Sequence, residues 1–303
     1  MPSPPARLTV LTTIIGCLLV SACGASGAVD RGSAQPMPSA GPFTTSAPAS
    51  ATSPAIATTT APTPTGPPPQ RGTLEWYIGQ LPHFDPPPLP TKVTVLPTSG
   101  RALQINQVPV GGQRVAFITI DDGWLKDPQV VTLLRAAGVP FTMFLTSDAI
   151  KSDPQYFVQL QALGGVIEDH TITHPQLTGL SYDRQRKEIC TNRATLDKLY
   201  GRAPTIMRAP YGLSNADTLR AAASCGIGAN VFWDEYAITG SVTWQRPGGI
   251  HPGDMVLMHF DEYLKANLVA TLQAFHRDGI TPALLEDYLV APGHASDLVR
   301  WAA

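Results

Sequence analysis

Four short runs supply the residues of this chain that suit chemistry: Thr119-Ile-Asp121-Asp122-Gly123, His170-Thr-Ile-Thr-His174, Arg208-Ala-Pro-Tyr211 and Leu257-Met-His259. They offer adjacent carboxylates, a His-x-x-x-His pair, an arginine and a late lone histidine. Imidazole and carboxylate are ligands that zinc favours, and a catalytic zinc uses three protein ligands with water in the fourth position. The remaining side chains suit a general base, a charge that steadies the base, and a general acid. Singly, each run has a structural reading: a strand-to-turn junction, two surface histidines, a turn with an aromatic plug, a core histidine. In this order they point to a metal-dependent hydrolase.

The runs follow apolar, strand-like segments. Residues 114–120 are rich in β-branched and apolar side chains and read as a buried strand, as do 141–145, 166–169, 205–207, 228–233 and 254–258. Helices are expected over 128–137, with proline near the start and glycine past the end, and around 154–163. Further helices are expected from a Ser181 cap to Tyr200, with Tyr182, Ile189, Leu196, Leu199 and Tyr200 at helical spacing, over 215–224, and over 262–277. Repeated βα units imply an α/β fold with a parallel sheet closed into a barrel. Asp121, Asp122, His170, Arg208 and His259 then stand at C-terminal strand ends, which converge on one face.

Over about 110–290 these runs resemble the polysaccharide deacetylase family, the NodB homology domain of carbohydrate esterase family four. Thr-Ile-Asp-Asp-Gly is similar to the family's Thr-Phe-Asp-Asp-Gly, and the other runs fit its His-Ser/Thr-x-x-His, Arg-x-Pro-Tyr and Leu-x-His patterns. The resemblance implies a distorted (β/α)7 barrel and removal of acetyl groups from sugar polymers. It implies Asp122, His170 and His174 as ligands of zinc, with another divalent ion such as cobalt as the alternative. Asp121 is the expected base, because neighbouring strand side chains diverge and keep it off the ion. Arg208 is expected to keep Asp121 ionised, the Tyr211 amide to meet the oxyanion, His259 to protonate the leaving amine, and Leu257 to contact the acetyl methyl. The family's Asp-x-x-Asp-Trp motif is missing: Asp234-Glu235-Tyr236 follows Trp233, and Phe260 follows His259 where aspartate is common. Asp234 or Asp261 is left to orient His259, and Trp233 or Trp244 to wall the sugar site.

The rest of the chain sets the context. Its 303 residues carry 21 Lys+Arg and 23 Asp+Glu without a basic run, which excludes a nucleic-acid partner. Residues 1–22 read as an export signal, with an apolar run from Leu8 to Val20 that is too short to span a bilayer. Val20-Ser21-Ala22-Cys23 looks like a lipoprotein lipobox, implying a lipid on Cys23 and the extracytoplasmic membrane face. Residues 23–70 carry that cysteine and a Ser/Thr/Ala/Pro linker expected to be disordered, either a tether into the wall or a passive spacer. Residues 71–112 read as an extended segment with edge strands over 91–96 and 102–110, packed on a domain at 113–292, with a tail at 293–303. In an oxidising compartment Cys190 and Cys225 are expected to pair as a disulfide, with two buried thiols as the alternative. The expected activity is metal-dependent deacetylation of N-acetylated, or O-acetylated, cell-envelope polysaccharide such as peptidoglycan. The alternative is a catalytically weak glycan-binding wall lipoprotein that keeps the zinc pocket.

Overall fold

The computed structural model describes residues 67–292. The export signal, Cys23, the linker up to residue 66 and the tail lie outside the described residues. The strands are β1 (Thr94–Val95), β2 (Leu103–Ile105), β3 (Val115–Asp122), β4 (Thr142–Leu145), β5 (Val166–Asp169) and β6 (Ile206–Met207). They continue as β7 (Ala229–Val231), β8 (Glu235–Ile238), β9 (Ser241–Trp244), β10 (Met255–His259), β11 (Thr281–Ala283) and β12 (Leu289–Val290). One curled sheet runs in the order β2-β7-β6-β5-β4-β3-β10-β8-β9, with β11 added to β3, while β1 and β12 form a separate pair. All pairings are parallel except β8 with β9. The barrel is thus a curled half-barrel whose path ends at β2 and β9.

The helices are α1 (Leu74–Ile78), α2 (Pro128–Ala137), α3 (Ser147–Ile150), α4 (Gln155–Gln161), α5 (Tyr182–Tyr200), α6 (Ala216–Ser224), α7 (Leu264–Arg277) and α8 (Leu285–Tyr288). Among the described residues no helix is long and apolar enough to cross a membrane.

Alternation on the central strands decides what reaches the site. Ala116, Ile118 and Ile120 of β3 join Val256 and Met258 of β10 in the core cluster that also holds residues of α2, α4 and α7. Val115, Phe117 and Met255 join the opposite cluster. The register pairs Phe117 with Met255, Thr119 with Leu257 and Asp121 with His259. With a side-chain period of two, the inner row of β3 therefore ends in Asp121 and that of β10 in His259.

Three local expectations change. The 71–112 segment is not extended throughout: Thr73 caps α1 by accepting from the Trp76 amide at 3.3 Å, and Leu74, Tyr77 and Ile78 pack on the core. Ser181 occupies the N-cap of α5 without a side-chain cap bond. The buried stripe of α5 is Gln185, Ile189, Asn192, Leu196 and Tyr200, while Leu199 is exposed. Polar Gln185 and Asn192 are buried because each has partners: Gln185 with Leu180 and Thr218, Asn192 with Leu145 and Ser147. The β8–β9 hairpin, where no strand is expected, forms as an antiparallel extension of the sheet beyond β10. Cys190 of α5 is joined to Cys225 at the end of α6, as expected, with their Cα atoms 4.9 Å apart.

Candidate active site and metal centre

Asp122 is the last residue of β3, and strict alternation would turn it away with Ile120. Its φ of 76° breaks the alternation, and Asp122 Oδ1 lies 3.5 Å from His170 Nε2 and 3.4 Å from His174 Nε2. The expected divergence of the two aspartates is therefore incomplete: Asp121 Oδ2 also lies 3.7 Å from His170 Nε2. Gly123 follows with φ 104°, and a Cβ there would stand 2.8 Å from Ile150 and 2.9 Å from Phe157, so glycine is required.

The histidine loop is held in an equally uncommon shape. Thr171 and His174 have φ of 71° and 57°. The Thr171 amide donates to Asp169 Oδ1 at 2.9 Å, and the His174 amide to Thr171 Oγ1 at 3.2 Å. Left-handed non-glycine residues cost roughly 1–3 kcal/mol each and persist where their surroundings impose them. His170 Nδ1 donates to the Arg208 carbonyl at 2.6 Å, which places the proton on Nδ1 and leaves the Nε2 lone pair facing Asp122. Burial holds the His170 pKa down at about 3, so the ring is neutral, as a ligand must be. Asp122 Oδ1 is buried without a hydrogen-bond partner, and the ligand atoms of Asp122, His170 and His174 lie within 4.8 Å of one another. An orphaned carboxylate oxygen between two imidazoles is the donor set of a zinc-type ion.

Arg208, just past β6, is wholly buried. Its Nη1 donates to Asp121 Oδ1 and to Thr119 Oγ1, both at 2.8 Å, and its Nη2 donates to the Phe232 carbonyl at 3.0 Å. Its guanidinium stacks 4.5 Å above the Phe144 ring. Oδ1 of Asp121 is thus fixed by arginine while Oδ2 faces the histidines. Arg208 pairs with Asp121 as expected but does not set its titration: burial raises the Asp121 pKa, and the arginine charge only opposes that rise. A raised carboxyl is a stronger base, which suits proton abstraction.

The remaining predicted residues divide. His259 is half-buried beside Asp121 in register. Asp234 Oδ2 accepts from the Met255 amide at 3.3 Å and Asp261 Oδ1 from the Tyr263 amide at 2.9 Å. Among the described residues no carboxylate accepts a hydrogen bond from the His259 ring, although the Asp261 charge interacts with it. Phe260 is core, packed edge-on against Phe157 at 5.3 Å, which accounts for an apolar residue there. Tyr211 sits at φ 61° with its ring 4.7 Å from that of His174. The amides of Ala209, Gly212 and Leu213 donate to Asn230, Ala209 and Pro210, whereas that of Tyr211 has no partner among the described residues. A Cβ at Gly212 would lie 2.2 Å from Phe232, so the turn packs tightly on the Phe232–Trp233 stack, whose centroids are 4.1 Å apart. Leu257 is buried in the inner row between Met255 and His259. Trp233 lies 6.0 Å from Arg208, whereas Trp244 packs on the helix-side core under Arg277.

Sequence reasoning missed the supports. Glu188 on α5 accepts from the amides of Ile172 and Thr173, both at 3.0 Å, and from Thr173 Oγ1 at 3.1 Å. Asn230 Oδ1 accepts from the Ala209 amide at 2.9 Å. Nothing in local spacing marks them, since each acts on a loop distant in sequence.

A polysaccharide deacetylase family model matches residues 109–229. That span holds Asp121, Asp122, His170, His174, Arg208 and Tyr211, while Trp233, Leu257 and His259 fall beyond it. The chain is 37% identical over 183 residues to an uncharacterised Streptomyces coelicolor protein, covering 58% of this chain and 73% of that one. It is 31% identical over 202 residues to a chitooligosaccharide deacetylase of Bradyrhizobium sp., covering 62% and 89%. Among solved structures, a pseudoenzyme of carbohydrate esterase family four from Bacillus anthracis is 19% identical, with a TM-score of 0.54 over 62% of this chain and 69% of that one. At that identity the likeness concerns the fold alone.

Proposed function

The chain belongs to the polysaccharide deacetylase family, and from that premise we propose that it hydrolyses N-acetyl groups of a cell-envelope glycan. Peptidoglycan is the nearest such polymer to a protein anchored by a lipid on Cys23 at the extracytoplasmic membrane face. The observation that carries the reading is the unpaired Asp122 Oδ1 between His170 and His174, beside a carboxylate clamped by a buried arginine. Asp122, His170 and His174 would hold the ion. A bound zinc or cobalt ion supplies Lewis acidity and brings the pKa of water toward neutrality.

The chain's own residues do the rest. Asp121, with Oδ1 fixed by Arg208, takes the proton of the attacking water on Oδ2. The Tyr211 amide donates to the oxygen that gains charge as the acetyl carbon becomes tetrahedral. Leu257 packs against the acetyl methyl, and Trp233 supports the Tyr211 turn beside the sugar. His259 delivers a proton to the nitrogen as the C–N bond breaks, so water and amide become acetate and a free amine.

The second reading is a wall-binding lipoprotein with weak turnover, and it is favoured because, among the described residues, no carboxylate accepts a hydrogen bond from the His259 ring. Acetate release from N-acetylglucosamine oligomers and peptidoglycan separates the two, with acetyl-xylan included to test O-acetyl preference. The full chain with zinc is expected to release acetate, and both a chelator and Asp121→Asn to abolish the release. Zinc bound without release above the Asp121→Asn background on any acetylated glycan would overturn the deacetylase reading.

A further inference from the structure

A second set of unpaired buried ligands lies at the opposite end of the strands. Asp254 immediately precedes β10, and Glu235 opens β8 after Asp234. Asp254 and His259 are five residue steps apart along β10, roughly 16 Å of extended chain. Glu235 and Asp254 are wholly buried. Both Glu235 carboxylate oxygens, His251 Nδ1 and Arg246 Nε have no hydrogen-bond partner. These are four of the nine such atoms among the described residues, and Asp122 Oδ1 of the first site is another. One ligand atom from each of Glu235, His251 and Asp254 lies within 4.8 Å of the others.

The surroundings do not satisfy this charge. Asp254 Oδ1 accepts from Arg246 and, at 3.0 Å, from Gln107 Nε2. Asp254 Oδ2 accepts from the His251 amide at 2.7 Å and stands 3.3 Å from His251 Nδ1. Arg246 Nη2 also lies 3.6 Å from Asp234 Oδ1. Three carboxyl groups therefore share one guanidinium, and neither Glu235 oxygen receives a hydrogen bond from a protein donor. Buried charge of this kind is neutralised by protons or by a cation. Two carboxylates and an imidazole match a zinc-type ion, whereas calcium takes six to eight oxygens.

We propose that Glu235, His251 and Asp254 form a second divalent-cation site, structural rather than catalytic, that ties the connection after β9 to the start of β8 and β10. The site does not depend on the deacetylase reading.

The test is zinc content of the full chain by native mass spectrometry after dialysis, with thermal melting alongside. Wild type is expected to hold two equivalents. Asp122→Ala/His174→Ala, which dismantles the first site, is expected to keep one and to melt higher in zinc than in chelator. Adding Glu235→Gln, nearly isosteric with the protonated acid, removes that zinc and the melting shift, and His251→Gln added separately does the same. No zinc in Asp122→Ala/His174→Ala, or one equivalent retained after both Glu235→Gln and His251→Gln, overturns the proposal.

Discussion

Glu188 bonds the backbone and Thr173 hydroxyl of the histidine loop rather than a metal ligand's side chain, yet its removal is expected to weaken metal binding about thirty-fold. Its carboxylate holds the middle of the histidine loop by the two amides at 3.0 Å and the Thr173 hydroxyl at 3.1 Å. The residues on either side, Thr171 and His174, are both left-handed, so the free loop has a reason to relax. A hydrogen bond contributes about 0.5–1.5 kcal/mol net. Because Thr173 is exposed, water replaces part of each bond, and the three together stabilise the loop by roughly 2 kcal/mol. That corresponds to about thirty-fold in affinity, within the ~10–100-fold range for groups that support metal ligands. Competition between the full chain and a fluorescent chelator for zinc measures it. Glu188→Ala is expected to lose the affinity while acetate release recovers at saturating zinc. Glu188→Gln, which keeps one oxygen for both amides, loses less. An unchanged zinc affinity in Glu188→Ala, with an unchanged melting profile, would refute the argument, because the loop would then hold its shape unaided.

Other outcomes follow from the same structure. Arg208→Met leaves the Asp121 carboxylate buried without its cation and is expected to cost about 3–5 kcal/mol in urea unfolding, with acetate release lost as well. Cys190→Ser opens a loop with a sequence separation of 35; the chain-entropy account puts the loss at roughly 4 kcal/mol, read as a lower urea midpoint that a reductant reproduces in wild type. Asp169 is buried, and burial pushes its pKa up to about 8. A carboxyl raised in the folded state contributes stability that is full below its unfolded pKa near 4 and is lost as pH rises toward about 8. Unfolding free energy is therefore expected to fall across that window, and Asp169→Asn, which keeps an acceptor for the Thr171 amide, to flatten the fall.

The polar residues were legible because the strands that carry them are short, apolar and buried on both faces, so each motif stands where hydrophobic periodicity stops. That pattern places β3, β5 and β10 and, through the parallel βα order, the convergence of Asp121, His170, Arg208 and His259 at one end. Pro128 and Gly138 at the ends of α2 and the pairing of Cys190 with Cys225 were likewise readable, since cap chemistry and redox compartment are local or compositional matters. Other features depend on atoms brought together from afar. Alternation alone separates Asp121 from Asp122, and only the left-handed turn at Asp122, continued by Gly123 close against Ile150 and Phe157, returns its carboxylate to the histidines. Likewise, Arg208 predicts an ion pair, but the depth of burial decides that the Asp121 pKa rises in spite of it. Glu188, Asn230 and the Glu235–His251–Asp254 cluster carry no sequence signature. Their roles come from hydrogen bonds and desolvation between segments that a linear chain does not relate.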